Sequence, residues 1–323
     1  MELNQAYSLA DNFGLPIPKE ITVPGGTEGE NSEFLPKKDP HYAFRQRLVF
    51  ELASWWAHAA GSEGLFLTGP TGSGKTSLAE QYFARLNVPL IVIPCGKSMK
   101  LDSVLYRVVV KEGAAISYED GPLTAAVRNG YPVLFDEIDR LDPREVTRLH
   151  ALMEGAPLIV PQLGGDPIVP AEGFRVLATG NSAGGGDETG LHTGVSRMDV
   201  ATTDRFIYLE VGYAEREVEE ALLARVQPKL PEVARTILCR LAEEVRASYI
   251  GTRDGAESAN ALEITISTRK LLQVAHYALL WKDVEKKGES PIQRSLDACL
   301  LRRASASDAE AVRQMLGLIE KGE

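Results

Sequence analysis

The stretch "GPTGSGKTS", residues 69–77, is the most informative part of this chain for predicting its fold. It satisfies the pattern G-x-x-x-x-G-K-[ST], and its fixed positions are Gly69, Gly74, Lys75 and Thr76. The apolar run "GLFLT" stands directly before it, and a segment with helical spacing of apolar residues follows it. A strand, a glycine-rich turn and a helix in this order predict a loop that binds the phosphates of a nucleotide.

The main chain of this loop supplies much of the predicted binding chemistry. Gly72 and Gly74 allow successive N–H groups to point inward, and the N-terminus of the following helix adds a partial positive charge. Lys75 brings a point charge to the β- and γ-phosphates, and the hydroxyl of Thr76 is a ligand for Mg²⁺. The residues predicted to hold ATP are Gly69, Pro70, Thr71, Gly72, Ser73, Gly74, Lys75, Thr76 and Ser77.

Two acidic residues end another apolar run, "VLFDEID" at 133–139. A carboxylate at the carboxyl end of a buried strand lies beside the phosphate loop in a doubly wound sheet. We therefore expect Asp136 to orient Mg²⁺ together with Thr76, and Glu137 to act as the general base on water. The alternative interpretation is that Asp136 and Glu137 are only solvated residues at the end of a strand. For Asp139 we expect a supporting or structural role.

Short apolar runs alternate with segments of helical periodicity, which is typical of a parallel sheet with crossover helices. Four of these runs are continuously apolar, as strands covered on both faces require. The pattern predicts an α/β P-loop NTPase fold, a parallel sheet flanked by helices. The candidate strands span 64–69, 89–95, 131–139, 174–181 and 205–212.

The expected organisation has three parts. Residues 1–40 are rich in Pro, Gly and acidic side chains without a clear period, and they are predicted to form an extended arm. Residues 41–213 are predicted to be the nucleotide-binding domain, and residues 214–323, where only helical patterns remain, an α-helical lid domain. The adjacent aromatic residues Trp55 and Trp56 fit core packing of a helix or stacking on adenine.

Composition restricts the classes of function. The 323 residues are 44% hydrophobic and 25% charged, which is the balance of a globular protein. A net charge of −10 argues against a broad basic face for nucleic acid. The 3 cysteines are far apart and fit no disulfide or zinc pattern. With no signal sequence and no membrane-length apolar run, a cytoplasmic protein is predicted.

The stretch "TGNSAGGGDETGLHTG", residues 179–194, is either a flexible linker or a shaped loop. Asn181 ends an apolar run there, and its amide is expected to hold the attacking water or contact the γ-phosphate. Further on, Arg205 stands where the chain turns back into a strand. A guanidinium at that place can bind the phosphate oxygens of a nucleotide held by a neighbouring subunit. Arg197 is a second such cation or a surface residue. Asp187 and Glu188 fit a solvated loop end or a metal site.

The order of these features resembles an AAA+ ATPase: phosphate loop, Asp-Glu strand, strand-end Asn, then Arg after a short helix. Within that superfamily, "ATGNSAGGGDETGLHTGVSRMDVATTDRF" is similar to the MoxR-type ATPases of the dynein-related subfamily, in the branch that includes the ATPase subunit of cobaltochelatase. The resemblance covers roughly residues 36–212. In the lid only "ISTRKLL" matches, where Arg269 resembles the sensor-2 arginine. The glycine stretch is then a shaped loop.

The resemblance implies a ring-forming motor, commonly a hexamer, with Mg²⁺-dependent ATP hydrolysis at subunit boundaries. Its implied catalytic residues are Lys75, Glu137, Asn181, Arg205 and Arg269. It further implies a von Willebrand factor A-domain partner and a protein client that is remodelled, activated or loaded with metal. Two inserts, 97–121 and 157–173, read as hairpins that contact the partner or decorate the sheet edge. Adenine is expected near His41 and Tyr42.

Two other classes of function use a similar core. A nucleic-acid motor of the helicase, packaging or restriction type would place basic residues on its inserts, whereas the first insert mixes bases with acids and the second has none. A nucleotide-gated binding module would bind ATP and hydrolyse little of it. The sequence favours the motor that acts on a protein.

Overall fold

The computed structural model describes residues 2–27, 32–58, 63–110, 116–186, 194–249, 261–283 and 290–322. The strands are β1 (Gln5–Ser8), β2 (Thr22–Gly25), β3 (Gly64–Thr68), β4 (Ile91–Pro94), β5 (Tyr106–Val110), β6 (Ile116–Asp120), β7 (Val133–Asp136), β8 (Val176–Gly180) and β9 (Phe206–Glu210). The helices are α1 (Leu9–Phe13), α2 (Gln46–His58), α3 (Lys75–Arg85), α4 (Asp102–Leu105), α5 (Pro122–Asn129), α6 (Pro143–Thr147), α7 (His150–Met153), α8 (Val200–Thr203), α9 (Arg216–Val226), α10 (Glu232–Ala247), α11 (Thr268–Leu280), α12 (Pro291–Cys299) and α13 (Ala306–Lys321).

A five-stranded sheet forms the centre of the N-terminal part, in the order β4-β7-β8-β3-β9. All four neighbouring pairs are parallel, and each of the five apolar runs supplies one strand. The predicted α/β fold is therefore confirmed. Because β7 and β8 lie side by side and β3 follows, the residues after these three strands meet at one edge of the sheet.

The sheet is covered on both faces because side chains alternate along each strand. In β3, Leu65 and Leu67 belong to one apolar core with α2 and α3, and Phe66 belongs to the opposite core with α5 to α7. Trp55 and Trp56 lie buried in the first core. Their indole N–H groups donate to the carbonyls of Glu63 and Pro24 at 3.0 and 2.8 Å, so these rings serve core packing.

The N-terminal segment folds onto the first core, so the predicted extended arm is wrong for residues 2–27. β1 and β2 form an antiparallel pair with α1 between them, and Ser8 caps α1. Leu9, Phe13 and Val23 are buried. No hydrophobic period is visible in this segment because its elements are short, and the burial of their apolar residues depends on partners far along the chain.

Internal contacts divide the chain into two units. The first comprises Met1–Pro40, Phe44–Gly69 and Lys75–Val211, and the second comprises His41–Ala43, Pro70–Gly74 and Gly212–Glu323. In the second unit α9 to α13 enclose an apolar core of their own, which includes Leu241, Val274 and Val312. The tip of the phosphate loop groups with this helical unit, which no sequence pattern indicated.

Both predicted inserts contain antiparallel pairing. β5 and β6 form a ladder from Tyr106↔Asp120 to Val110↔Ile116, and residues 111–115 lie outside the described residues. The register places four exposed apolar side chains on one face of this hairpin: Val108, Val110, Ile116 and Tyr118. The second insert has a single antiparallel bridge, Leu158↔Ile168.

The three cysteines Cys95, Cys239 and Cys299 are free thiols. Burial raises the pKa of the Cys95 and Cys239 thiols to about 12, so both are inert as nucleophiles near neutral pH. Across the described ranges, no helix has the length and apolarity that crossing a membrane requires.

Docking of the N-terminal segment is testable at Phe13, which stacks on Tyr82 at 5.3 Å between ring centroids and meets Phe44 edge-on at 4.9 Å. Phe13→Ala should destabilise the first unit by about 3 kcal/mol or more, because a buried aromatic ring is lost. Phe50→Ala is the control, since Phe50 is 51% exposed, and its effect should stay within about 0.5 kcal/mol. Chemical denaturation of both variants measures this, and equal midpoints would contradict the docking.

Candidate active site

The phosphate loop adopts a backbone that only glycine accepts readily. Gly69, Gly72 and Gly74 have φ of +143°, +74° and +94°. A Cβ on Gly69 would also lie 2.3 Å from the carbonyl oxygen of Val211. The loop ends where α3 begins at Lys75, so the first N–H groups of that helix face the loop. The backbone thus has the form that the motif predicts for a phosphate cradle.

Lys75 is buried at the mouth of this loop, with 8% of its surface exposed. Its Nζ donates to the Gly69 carbonyl at 2.8 Å and to Oδ1 of Asn181 at 3.1 Å. Burial lowers the pKa of Lys75 to about 8, although the carboxylates of Asp139, Asp136 and Glu137 oppose the shift. The ammonium is therefore poorly solvated, and phosphate oxygens would compensate for the water that it has lost.

Thr76 and Asp136 lie together, as predicted for a magnesium site. The Thr76 hydroxyl donates to Oδ1 of Asp136 at 2.6 Å, and the Thr179 hydroxyl donates to the same oxygen at 2.8 Å. One hydroxyl and one carboxylate suit Mg²⁺, which keeps several waters and binds through phosphates. The described residues contain no group of three or more His, Cys, Asp or Glu that could hold a metal by themselves. These residues therefore fit a metal that arrives with the nucleotide.

Glu137 has a left-handed backbone, with φ +57° and ψ +49°, which is uncommon for a residue other than glycine. Its N–H donates to Oγ1 of Thr179 at 2.8 Å, which holds this conformation. Its carboxylate forms an ion pair with Arg140 at 3.1 Å, and both side chains are more than a third exposed. Backbone strain of this kind is concentrated at functional sites. The carboxylate therefore lies at the surface of the site on a main chain that is held in place.

Sequence reasoning missed Thr179 and Arg140. Thr179 is fully buried, and its hydroxyl connects Asp136 to the main chain of Glu137. Thr179 gave no distinctive signal, because the run at 174–181 also contains the polar residues Arg175 and Asn181. Arg140 gave no signal, because its ion pair with Glu137 depends on the short 3₁₀ turn Ile138–Arg140.

Asn181 lies where the sequence predicted it, directly after β8 and next to the carboxyl end of β7. Its side-chain oxygen accepts from Lys75, and its N–H donates to Oδ2 of Asp139 at 2.8 Å. The sheet order thus brings together residues that are far apart in the chain. The α/β unit gathers Lys75, Thr76, Asp136, Glu137 and Asn181 at one edge.

The two arginines of the later segment differ in their surroundings. The guanidinium of Arg205 donates to Oε1 of Glu154 through Nε, at 2.9 Å, and through a terminal nitrogen, and it also donates to the Ala201 carbonyl. Its side chain is 27% exposed. Arg197 is exposed, has no hydrogen bond or ion pair to a described residue, and lines an open groove of about 780 Å³ with Asp199. No contact within the described ranges joins either arginine to Lys75.

Arg269 belongs to the second unit, in the first turn of α11. Ser267 caps this helix by accepting from the N–H of Lys270 at 3.2 Å. Within the same unit, a Cβ on Gly72 would lie 2.5 Å from Cβ of Ser267. The N-terminus of α11 therefore lies against the tip of the phosphate loop, and Arg269 is exposed there.

Neither the predicted adenine contact nor the candidate metal site at Asp187 and Glu188 is tested by the structure. His41 and Tyr42 group with the second unit, which includes the loop tip Pro70–Gly74. Their predicted contact with adenine stays a prediction. Asp187 and Glu188 lie outside the described residues.

Comparison with known proteins agrees with this geometry. Residues 64–206 match the family profile described as AAA domain (dynein-related subfamily). The aerobic cobaltochelatase subunit CobS of Sinorhizobium sp is 26% identical over 285 residues, which cover 86% of this chain and 81% of CobS. Protein NorQ of Paracoccus denitrificans is 27% identical over 268 residues, which cover 83% of this chain and 89% of NorQ.

A solved structure of the Thermotoga maritima RuvB Holliday junction branch migration motor is a more distant likeness. It is 16% identical, covers 86% of this chain and 76% of its own, and has a TM-score of 0.47. A likeness at this level assigns no activity.

A parallel P-loop sheet that gathers these residues and matches an AAA domain defines an AAA+ ATPase, which uses ATP with Mg²⁺. More narrowly, residues 64–206 form an AAA domain of the dynein-related subfamily, and the chain is similar to CobS and NorQ. The predicted resemblance, enzyme class and cofactors are confirmed.

The role of Thr179 is testable by Thr179→Val, which keeps the shape and removes the hydroxyl. Hydrolysis should fall by about tenfold to 100-fold, because Asp136 and Glu137 lose a shared support and small misplacements are costly. Affinity for nucleotide should change little, since Lys75 and the loop are untouched. Steady-state hydrolysis and fluorescent-nucleotide titration measure the two quantities.

Thr124→Val is the matched control, since Thr124 is also fully buried and donates to the Leu105 carbonyl at 2.6 Å. It should lower the melting temperature and leave the rate per folded molecule unchanged. If both variants hydrolyse ATP at the wild-type rate, the supporting role of Thr179 is wrong.

Proposed function

We propose that this chain assembles into a hexameric ring that hydrolyses ATP to remodel or activate a protein partner. The observation that carries the proposal is the separation of catalytic groups. Lys75, Asp136, Glu137 and Asn181 meet at one edge of the sheet, whereas Arg205 is bound to Glu154 and Arg197 is exposed in a groove. A second subunit would supply the missing cation.

Each residue then has a defined task in hydrolysis. The loop amides and Lys75 bind the phosphates, and Asn181 orients the attacking water toward the γ-phosphate. Glu137 accepts the proton of that water. When bound, Mg²⁺ neutralises charge between the β- and γ-phosphates and would be held by Thr76 and Asp136. The arginine of the neighbouring subunit stabilises charge that develops on the γ-phosphate.

Glu137 must leave Arg140 before it can act as base. An ion pair this exposed is worth about 1 kcal/mol or less, so its exchange for water costs little. We propose that Arg140 holds the carboxylate aside until ATP is bound.

Glu137→Gln is the direct test of hydrolysis. The variant should bind ATP with nearly wild-type affinity, because the cradle is intact, while turnover falls by about 100-fold or more. Glu172→Gln provides a control carboxylate outside the site. A rate that is unaffected by Glu137→Gln would favour a nucleotide-gated binding module over a motor.

Shared sites can be tested by mixing subunits. Arg205→Ala should abolish hydrolysis and leave nucleotide affinity nearly unchanged, and Lys75→Ala should abolish binding. A mixture of the two should regain activity, because Lys75→Ala subunits still offer an arginine to intact cradles. Arg197→Ala in parallel identifies which arginine acts across the boundary. Mixtures that never regain activity would contradict the shared site.

We propose a protein client and a von Willebrand factor A-domain partner. The exposed face of the β5–β6 hairpin is apolar, which suits a protein surface better than phosphates. CobS is named as a cobaltochelatase subunit, so metal loading of the client is the narrower form of the proposal. The free thiols support the cytoplasm as its compartment.

Capture of partners by the Glu137→Gln variant in ATP, followed by mass spectrometry, tests this. Lys75→Ala is the control, since it cannot load ATP. A protein with a von Willebrand factor A domain that is enriched only with Glu137→Gln would support the proposal, and enrichment of nucleic acid alone would contradict it.

A further inference from the structure

Asp139 is a buried carboxylate for which hydrolysis as described above has no task. It is 1% exposed, and its Oδ2 accepts the N–H of Asn181 at 2.8 Å. The N–H of Ser182 donates to the same carboxyl group. The main-chain carbonyl of Asp139 accepts the N–H of Ser196 at 2.7 Å. Its Oδ1 is buried and has no hydrogen-bond partner among the described residues.

Such a carboxylate is costly for stability. Removing a charge from water costs several kcal/mol unless hydrogen bonds and an opposite charge compensate it. Burial raises the pKa of Asp139, against the N–H groups of Asn181 and Ser182 and the charges of Lys75 and Arg140. An apolar side chain of similar size would fill this position at lower cost. A positioning role would account for the carboxylate.

Its contacts lead to two parts of the proposed machinery. The first is Asn181, whose side chain bonds Lys75 at the phosphate loop. The second is the segment 196–205, called the arginine segment below. It begins with Ser196, whose N–H donates to the Asp139 carbonyl, and it carries both arginines. The N–H of Met198 donates to the Gly184 carbonyl at 3.0 Å, so the loop after Asn181 and the arginine segment are also tied together.

We propose that Asp139 is a positioning residue that sets Asn181 for the nucleotide of its own subunit and the arginine segment for the nucleotide of the neighbour. The inference rests on the proposed function, because only a shared site needs both parts aligned. Its physical basis is that one residue accepts main-chain N–H groups from both. Removing the carboxylate frees Asn181 and Ser182 and releases the turn whose carbonyl holds Ser196.

Asp139→Ala should lower kcat by about 100-fold, with KM for ATP within about threefold of wild type, because the cradle is untouched and the water-orienting group is displaced. Asp139→Asn keeps one acceptor oxygen and should recover most of the rate. Loss of thermal stability and nucleotide affinity without loss of kcat per folded molecule would overturn the proposal.

Asp308→Ala is the matched control, since Asp308 is also a buried carboxylate that accepts a main-chain N–H, from Glu263 at 3.1 Å in the helical unit. It should lower the melting temperature and leave kcat unchanged. If Asp308→Ala lowers kcat as much as Asp139→Ala, the loss is a general effect of instability and the proposal falls.

Mixed assemblies separate the two halves of the proposal. Asn181→Ala subunits mixed with subunits that carry both Arg197→Ala and Arg205→Ala should regain activity. In such a mixture the first kind of subunit supplies the arginines, and the second supplies an intact nucleotide site. Asp139→Ala subunits mixed with either partner should not. Rescue by the arginine-less subunits would mean that Asp139 serves only its own site, and rescue by Asn181→Ala subunits that it serves only the neighbour.

Failure of the proposed function would look different. An inactive wild-type protein, or no rescue between Asn181→Ala and arginine-less subunits, would contradict the shared motor itself. If the wild type is active but mixing gives no rescue, variants measured in unmixed protein still test the role of Asp139. Adding Asn181→Ala, or both arginine substitutions, to Asp139→Ala should slow hydrolysis far less than the product of the separate losses. Multiplicative losses would overturn the positioning role.

Discussion

The hydrogen bonds of the buried Lys75 ammonium connect the separate parts of the site. The ammonium is held between the Gly69 carbonyl and the Asn181 amide, so one cation joins the phosphate loop to the end of a strand far along the chain. Its lowered pKa reflects lost solvation that the surrounding carboxylates only partly offset. A phosphate group would suit this environment because its negative charge compensates for the lost solvation of the ammonium.

Three carboxylates around that cation occupy different environments and have different proposed tasks. Asp136 accepts two hydroxyl groups and is a proposed metal ligand, Glu137 is exposed on a strained backbone, and Asp139 is buried and accepts main-chain N–H groups. Thr179 connects the first two. The arginines lie outside this cluster, which is why a ring is proposed rather than a self-sufficient monomer.

The strands of the sheet were predicted correctly from the sequence. The N-terminal segment and Thr179 were not, and the causes can be identified. Each continuous apolar run became a strand, because a strand buried on both faces must be apolar at every position. The N-terminal segment was mistaken for an arm, because residues such as Phe13 pack against Phe44 and Tyr82, which are distant in the sequence. Thr179 was missed because a threonine inside a strand has no distinctive pattern until its neighbours are known.

The phosphate loop, the strand-end carboxylates and Asn181 were predictable from the sequence, because they depend on local backbone requirements and on the rule that parallel strands end at one edge. The contacts of Arg205, Arg140 and Asp139 were not predictable and became known from the folded structure. Arg205 bonds Glu154 and Asp139 bonds Asn181 through packing of segments that are distant in the chain. A guanidinium or carboxylate can satisfy itself with many partners, and local sequence does not specify which one is near.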